Sequence, residues 1–192
     1  MTGLSIVGIS GNLTRPSKTR ALVGEILRQA ESLGAGKAEL YDLVDAGPEL
    51  GAAVQRENAA KAPDRVLSAI ERADALVVAS PIFKASYTGL FKLLFDLIEP
   101  KMLEGRPLLL AATGGSDRHA LVIEHQLRPL FAFFRANVLP IGLYATNGDF
   151  GAGGALSEAM VGRITPVAEQ FAAWLAGPVR VRARGATLVR VA

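Results

Sequence analysis

The chain has 192 residues, with 21 Lys and Arg, 18 Asp and Glu, 2 His and no Cys, and its formal net charge is +3. This length suits one domain of about 100–200 residues. The absence of cysteine excludes disulfides, thiolate metal sites and a cysteine nucleophile. The apolar runs fall short of the roughly 18 residues that a membrane helix needs, and the small basic excess forms no stripe typical of nucleic-acid binding. We therefore expect a cytoplasmic protein without a metal, membrane or nucleic-acid partner.

Short apolar runs alternate with helical patterns along the first half of the chain. In chain order they predict a strand, a helix, a strand, a loop and a helix: Leu4–Ile9, a stripe of Leu22, Ile26 and Leu33, Lys37–Leu43, Val44–Ala62, and a helix near Pro63 that carries Val66, Leu67 and Ile70. Gly34 and Gly36 end the first helix, and proline suits the first turn of the second.

The second half continues the alternation. In chain order we predict strand, helix, strand, helix, strand and helix: Ala75–Ala79, Thr88–Ile98, Pro107–Ala112, His119–Phe134, Val138–Ala145, and a stripe from Leu156 to Leu175. Proline has no N–H to donate, so Pro81 is expected to end the third strand and Pro129 to kink the fourth helix.

Five apolar strands that alternate with helices are typical of a parallel sheet covered on both faces. Because crossovers are right-handed, few strand orders remain. We expect an α/β fold, a flavodoxin-like three-layer sandwich with a five-stranded parallel sheet in the order 2-1-3-4-5. This domain spans residues 1–177. A basic tail, residues 178–192, follows it, and either an edge strand or disorder would suit its alternating Val and Arg.

The loop after the first strand, Ser10–Arg20, concentrates hydroxyls and cations just before a helix. Ligands of such sheets bind outside the carboxyl ends of the strands, and hydroxyls, backbone N–H groups and a helix start favour a phosphate monoester. The alternative is a capped helix with a solvated turn. Two nucleotide motifs are absent: Ser17 replaces the second glycine of G-x-x-x-x-G-K-[ST], and Gly8 and Gly11 lack the spacing of G-x-G-x-x-G.

Two more strand-exit loops belong to the same edge of the predicted sheet. Ser80–Tyr87 carries Ile82 and Phe83, which could form an apolar wall beside a flat ring, although a lone Phe more often packs in the core. Thr113–Ser116 contains paired glycines, which let backbone approach a ligand closely or simply make a turn. Together the three loops predict a site for a phosphorylated flat heterocycle.

At these residues the chain resembles the NADPH-dependent FMN reductase family, especially the branch that supplies reduced flavin to alkanesulfonate-type monooxygenases. Ser10–Leu22 is similar to the family's phosphate loop, with Asn12 where proline is usual. Ser80–Lys92 is close to the signature P-[IV]-[YF]-K-x-x-[YF]-[ST]-G-x-x-K, and Thr113–Ser116 followed by His119 matches the third flavin loop. The resemblance extends over about residues 4–175.

The resemblance implies an NAD(P)H:FMN oxidoreductase that uses FMN and NAD(P)H and forms a homo-oligomer, a dimer or, as is often the case in the family, a tetramer. It implies that the FMN phosphate is bound by Ser10, Arg15, Ser17, Lys18 and Thr19. It implies that the isoalloxazine is flanked by Pro81, Ile82, Phe83 and Lys84, and that its pyrimidine edge or N5 side meets Thr113, Gly114, Gly115 and Ser116. His125 falls where this branch carries an extra residue, often Tyr, at a subunit interface beside the flavin; the alternative is a surface histidine. No catalytic side chain is expected, because the hydride passes directly between two rings.

Three functions stay open at this point. FMN could be reduced and released to a partner flavin-dependent monooxygenase, a reading that His125 favours. FMN could instead stay bound while the enzyme reduces quinones, azo dyes or metal oxyanions. A non-enzymatic electron carrier of the flavodoxin type is the third, and the net charge of +3 disfavours it because such carriers are strongly acidic. The choice between NADH and NADPH is also open, since four cations could meet a 2′-phosphate: Arg15, Lys84, Arg118 and Arg128.

Overall fold

Parallel strands alternate with helices throughout the computed structural model, which describes residues 3–177. The six strands of this part of the chain are β1 Ser5–Ser10, β2 Lys37–Asp42, β3 Ala75–Pro81, β4 Pro107–Thr113, β5 Asn137–Val138 and β6 Leu143–Ala145. Its five α-helices are α1 Lys18–Ser32, α2 Lys61–Arg72, α3 Gly89–Asp96, α4 Arg128–Phe133 and α5 Glu158–Ala176. The predicted tail, residues 178–192, lies outside the described residues.

The strands pair in the order β2-β1-β3-β4-β5, and β6 also pairs with β4. Every strand pairing is parallel. The predicted flavodoxin-like fold and its strand order are thus confirmed. The predicted fifth strand, Val138–Ala145, is instead two short strands on the same edge of β4, because Pro140 between them has no N–H to give to a ladder.

Helices cover both faces of the sheet. Successive residues of β4 alternate between two cores: Leu108 and Leu110 face the core under α2, α3 and α4, and Leu109 faces the core under α1 and α5. Both faces of this strand are fully buried. This explains why its sequence is a continuous apolar run and not an alternating one.

Aromatic side chains fill the first core next to α3 and α4. The ring centroid of Phe95 lies 4.9 Å from those of Phe91 and Phe131, and the second contact is edge to face. Phe134 lies 6.4 Å from Phe95 on the same side. Aromatic pairs in this geometry add to the free energy gained by burying apolar area, so the cluster fixes both helices against the sheet.

Two predicted boundaries are wrong by a short distance. Leu33 is not on the buried stripe of α1 but caps its end, half exposed. β3 runs through Pro81, which lies opposite Thr113, so the strand ends two residues later than the predicted Ala79. The predicted loop 44–62 also holds two short 3-10 turns, and Leu50 in the first of them is buried in the core.

The predicted helix His119–Phe134 has three parts. A 3-10 turn is followed by a π-helix, Ile123–Leu127, and then by α4. The N–H of Arg128 donates to the carbonyl of Ile123, five residues back. Pro129 lies in the first turn of α4, and its ring would clash with the carbonyl four residues back in a regular helix. A π-helix lies directly ahead of it, and its wider turn relieves that clash, so the disturbance expected at Pro129 includes a change of helix type.

We predict that Leu110→Ala lowers the free energy of unfolding by about 2–5 kcal/mol, because it leaves a cavity in the closed core. The control is Leu33→Ala, for which we expect less than about 1 kcal/mol at a half-exposed position. Urea denaturation followed by circular dichroism measures both. Equal losses for the two variants would contradict the assignment of β4 to the core.

Candidate functional site

A cleft of about 410 Å³ opens at the carboxyl edge of the sheet. Its walls come from the loops after β1, β3, β4 and β6. The lining residues are Asn12, Leu13, Thr14, Pro16, Ser17, Lys18, Thr19, Pro81, Ile82, Phe83, Thr113, Gly114, Gly115, Asn147 and Phe150. The three loops predicted from the sequence therefore meet in one cleft, and a fourth loop joins them.

The first wall is the start of α1. Ser17 caps this helix, and its Oγ accepts a hydrogen bond from the N–H of Arg20 at 3.2 Å. The first turn itself carries no acidic residue that would offset the partial positive charge of the helix end. Lys18 adds a full positive charge at the same place. This end of the cleft is suited to a dianion such as a phosphate monoester.

Lys18 is held in position by the fourth loop. Its Nζ donates to Oδ1 of Asn147 at 2.9 Å and lies 5.3 Å from the ring centroid of Phe150. Neither partner bears a negative charge, so the ammonium group keeps its charge for a ligand. Sequence reasoning missed Asn147 and Phe150, although they too follow a strand at the carboxyl edge, and the same rule would have found them.

Asp42, at the end of β2, organises the loop after β1. Its fully buried carboxylate accepts two hydrogen bonds from Arg15 at 2.8 Å, one from Arg20 at 3.1 Å and one from Asn12 at 3.1 Å. Two backbone N–H groups of the following turn also donate to it. Arg15 reaches Asp45 as well, at 2.6 Å. One carboxylate thus fixes the path of the whole loop.

These contacts set the charge state of Asp42. Burial alone would raise the pKa of Asp42, but the hydrogen bonds from Arg15 and Asn12, a backbone N–H and the charge of Arg20 outweigh burial and lower it. The hydrogen bonds to Asp42 and Asp45 raise the pKa of Arg15 in turn. The guanidinium of Arg15 is therefore neutralised by two carboxylates and lies outside the cleft lining.

A pair of hydroxyls forms the floor of the cleft. The Oγ1 atoms of Thr19 and Thr113 are 2.6 Å apart and buried, and either can donate to the other. This bond joins the start of α1 to the end of β4. It holds the cationic end of the cleft, at Lys18, against the loop of paired glycines.

The second wall is the turn after β3. The N–H of Ile82 donates to the carbonyl of Thr113 at 2.8 Å, which ties the two loops together. A lone Phe more often packs in the core, but the Phe83 side chain is 52% exposed and does not. Ile82 and Phe83 line the cleft as an apolar wall.

The third wall is the loop after β4, where Gly114 and Gly115 line the cleft with main chain alone. A Cβ built on Gly114 would lie 2.0 Å from Oη of Tyr144, so only glycine fits there. Burial and the nearby charge of Asp117 raise the pKa of Tyr144, which stays protonated and donates to the carbonyl of Ser116 at 2.7 Å. Gly114 and Gly115 therefore present main chain, and no side chain, to the cleft.

Nine of the fourteen predicted site residues line the cleft, and five do not. Ser10 is buried beneath it and donates to Asn12 at 2.6 Å. Lys84 and Ser116 lie beside the rim, and Arg15 is paired as described. His125 is exposed within the π-helix and is not part of the lining of this single chain.

Comparisons with known proteins bear on this cleft. The profile described as NADPH-dependent FMN reductase matches residues 4–151. The chain belongs to the NADPH-dependent FMN reductase family. An NADH-dependent FMN reductase, SfnF, of Pseudomonas fluorescens is 47% identical over 88% of this chain and 90% of its own length. An FMN reductase (NADPH) of Pseudomonas aeruginosa is 44% identical over 90% and 92%.

Solved structures give the same answer. An NADH:FMN oxidoreductase (EMOB) in its apo form superposes with a TM-score of 0.81 and 27% identity, over 93% of this chain and 94% of that one. An oxidoreductase of Corynebacterium diphtheriae has a TM-score of 0.77 and 32% identity, over 92% and 98%. The predicted family, the class of NAD(P)H-dependent FMN reductase and the use of FMN and NAD(P)H are confirmed.

Two further observations concern residues 3–177 of this FMN reductase. None of the helices there is long and apolar enough to cross a membrane. No group of three or more His, Cys, Asp or Glu side chains in that range could hold a metal ion.

The cleft of this FMN reductase fits FMN by its donor set. Lys18, Ser17 and the N–H groups at the start of α1 suit the phosphate, and Ile82 and Phe83 suit a flat apolar ring. The bare backbone at Gly114 suits a ring edge that carries hydrogen-bonding atoms. The volume of the cleft lies within the range of small-molecule and cofactor sites, about 300–1,000 Å³.

We predict that Lys18→Met raises the dissociation constant of FMN about 10- to 100-fold, because a charge-assisted bond to the phosphate is lost. Riboflavin, which lacks the phosphate, should bind both proteins equally. Quenching of flavin fluorescence measures each constant. Lys37→Met, at the opposite edge of the sheet, is the matched control, and an equal loss for riboflavin would contradict the assignment.

We predict that Asp42→Asn lowers the free energy of unfolding at neutral pH by about 1–3 kcal/mol, since charge-assisted hydrogen bonds are weakened. The pKa of Asp42 is lowered in the folded protein, so its charge stabilises the fold above the ordinary carboxyl pKa of about 3.9, and that contribution is lost as the pH falls further.

Urea denaturation between pH 3 and 7 tests this prediction, with pH values on the order of one unit apart around the ordinary carboxyl pKa. Stability of the Asp42→Asn variant should fall less steeply with acid than that of the wild type. The control is Asp96→Asn, which breaks only an exposed pair with Lys92. Identical acid limbs for wild type and Asp42→Asn would overturn the assigned role.

Proposed function

We propose that this FMN reductase binds free FMN, reduces it with NAD(P)H and releases reduced FMN to a partner flavin-dependent monooxygenase of the sulfonate type. The observation that carries the proposal is the cleft itself. It combines a cationic end at Lys18, an apolar wall at Ile82 and Phe83, and bare backbone at Gly114. We place the protein in the cytoplasm, as a homo-oligomer, within this proposal.

The residues of the chain act by binding and orientation. Lys18, Ser17 and the start of α1 hold the phosphate and so fix one end of the ligand. Ile82 and Phe83 form the apolar wall against which the flat ring would lie, and they would keep water from it. The bound flavin supplies the acceptor of the nicotinamide hydride. Holding the two rings in contact is the contribution of the protein to the rate.

Support for release, in place of permanent retention, comes from the helix after β4. His125 is exposed in the π-helix Ile123–Leu127, and the resemblance places an extra residue of the releasing branch there. π-helices occur frequently at functional sites, and this one lies one loop away from the cleft. In the proposed oligomer, His125 of one subunit lies beside the flavin site of its neighbour.

Of the four cations that the sequence offers for the 2′-phosphate of NADPH, two already have partners. Arg15 is paired with two carboxylates, and Arg128 is paired with Glu124 and donates to the carbonyls of Leu139 and Pro140. Lys84 and Arg118 are exposed next to the cleft-lining segments. We therefore propose that Lys84 and Arg118 are the cations that the 2′-phosphate of NADPH would meet. The preference between NADH and NADPH is tested directly below.

We predict that flavin-free protein oxidises NAD(P)H only when FMN is added, with saturation in the micromolar range. Under anaerobic conditions, reduced FMN should pass through a filter that retains the protein. Each nicotinamide is tested separately by its absorbance. In a separate assay in air, which supplies the O2 that a monooxygenase consumes, adding a flavin-dependent sulfonate monooxygenase with its substrate should give product, with no product when the reductase is omitted.

The alternatives give different results in the same assay. Protein that keeps FMN through filtration and needs a quinone, azo dye or metal oxyanion for turnover would be a reductase with tightly bound FMN. Flavin binding without oxidation of either nicotinamide would exclude both enzymatic functions and favour an electron carrier.

A further inference from the structure

The turn that brings Phe83 into the cleft has a strained backbone. Phe83 and Ser86 close it with two hydrogen bonds, from the N–H of Phe83 to the carbonyl of Ser86 at 2.8 Å and in the reverse direction at 3.2 Å. The two residues between them, Lys84 and Ala85, have φ angles of 50° and 69°. In this left-handed region a Cβ crowds the following carbonyl, so such residues persist only where neighbouring contacts hold them.

A side chain from another element holds this turn. Oγ of Ser86 donates to Oε1 of Gln126 at 3.0 Å, in a partly buried bond between residues 40 apart in sequence. Because the backbone of Ser86 closes the turn, a hydrogen bond to its side chain anchors the turn next to the strained residues Lys84 and Ala85. Without this bond, only the two backbone hydrogen bonds between Phe83 and Ser86 oppose relaxation of Lys84 and Ala85 toward the conformations that non-glycine residues prefer.

The position of Gln126 depends on the π-helix. Gln126 lies within Ile123–Leu127, where one extra residue is accommodated per turn. Each residue of a regular helix advances the direction of the side chains by about 100°. A regular helix between the same end points would thus direct the side chains of this turn elsewhere. The π-helix and the cleft wall are therefore joined by one identified contact.

We propose that Gln126 is a positioning residue that holds the Phe83–Ser86 turn, through Ser86, in the shape that faces FMN, and so sets how tightly the cleft retains FMN. The proposal rests on the proposed function in one respect, namely that FMN is the ligand of the cleft. Gln126 acts from outside the cleft lining, and Phe83 is the residue through which its effect reaches the ligand.

The test is a double-mutant cycle on the dissociation constant of FMN, measured with flavin-free protein by fluorescence quenching and without nicotinamide. Gln126→Leu and Ser86→Ala should each weaken binding about fivefold, the factor that one net hydrogen bond supplies. The double variant should bind no more weakly than either single variant, because the second substitution removes a contact already lost.

Two further variants separate positioning from general damage. Gln126→Glu retains an acceptor oxygen and should keep the affinity of the wild type. Gln170→Leu, on the exposed side of α5, is the matched control and should change nothing. The melting temperature is measured for all variants. Loss of thermal stability with unchanged FMN affinity would show a structural role only and overturn the proposal.

The remaining outcomes are equally decisive. Single variants that bind FMN as the wild type does, or losses that multiply in the double variant, would overturn the link between Ser86 and Gln126. If the wild type binds FMN but oxidises neither nicotinamide, the proposed function fails while the cycle still reports on the positioning role. If the wild type does not bind FMN, both proposals are wrong.

Discussion

The parallel register of the sheet is the constraint on which the site depends. Because β1, β3, β4 and β6 all run in the same direction, the segments that follow them reach one edge. The hydrophobic cores on the two faces keep the strands in that register. The cleft is therefore a consequence of topology first, and of particular side chains second.

Topology alone does not give the loop after β1 a fixed shape. The buried carboxylate of Asp42, at the end of the neighbouring strand, sets the path of that loop through its hydrogen bonds to Asn12, Arg15 and Arg20. The arginine that sequence similarity assigns to the phosphate is used for this purpose. A cation can thus serve a site suited to phosphate from outside its lining, by ordering the backbone that carries the N–H groups and the lysine of that site.

Much of the fold could be predicted from the sequence because its signals are local. The continuous apolar run of β4 and the glycines after α1 each act within a few residues of their position. The pairing of Asp42 with Arg15 could not be predicted, since it joins residues 27 apart whose meeting depends on the β1–β2 register. The π-helix also escaped prediction, because Pro129 can be accommodated by a kink or by a wider turn, and tertiary packing decides between them.

The two threonine hydroxyls in the floor of the cleft have a consequence of their own. Thr19 and Thr113 together carry two hydroxyl hydrogens, and the bond between them uses one. The direction of that bond can reverse by rotation of two hydrogens, with every heavy atom at rest. Either the start of α1 or the end of β4 can then supply the remaining hydroxyl hydrogen. The same rigid floor can therefore meet a ligand atom that accepts a hydrogen bond and one that donates it.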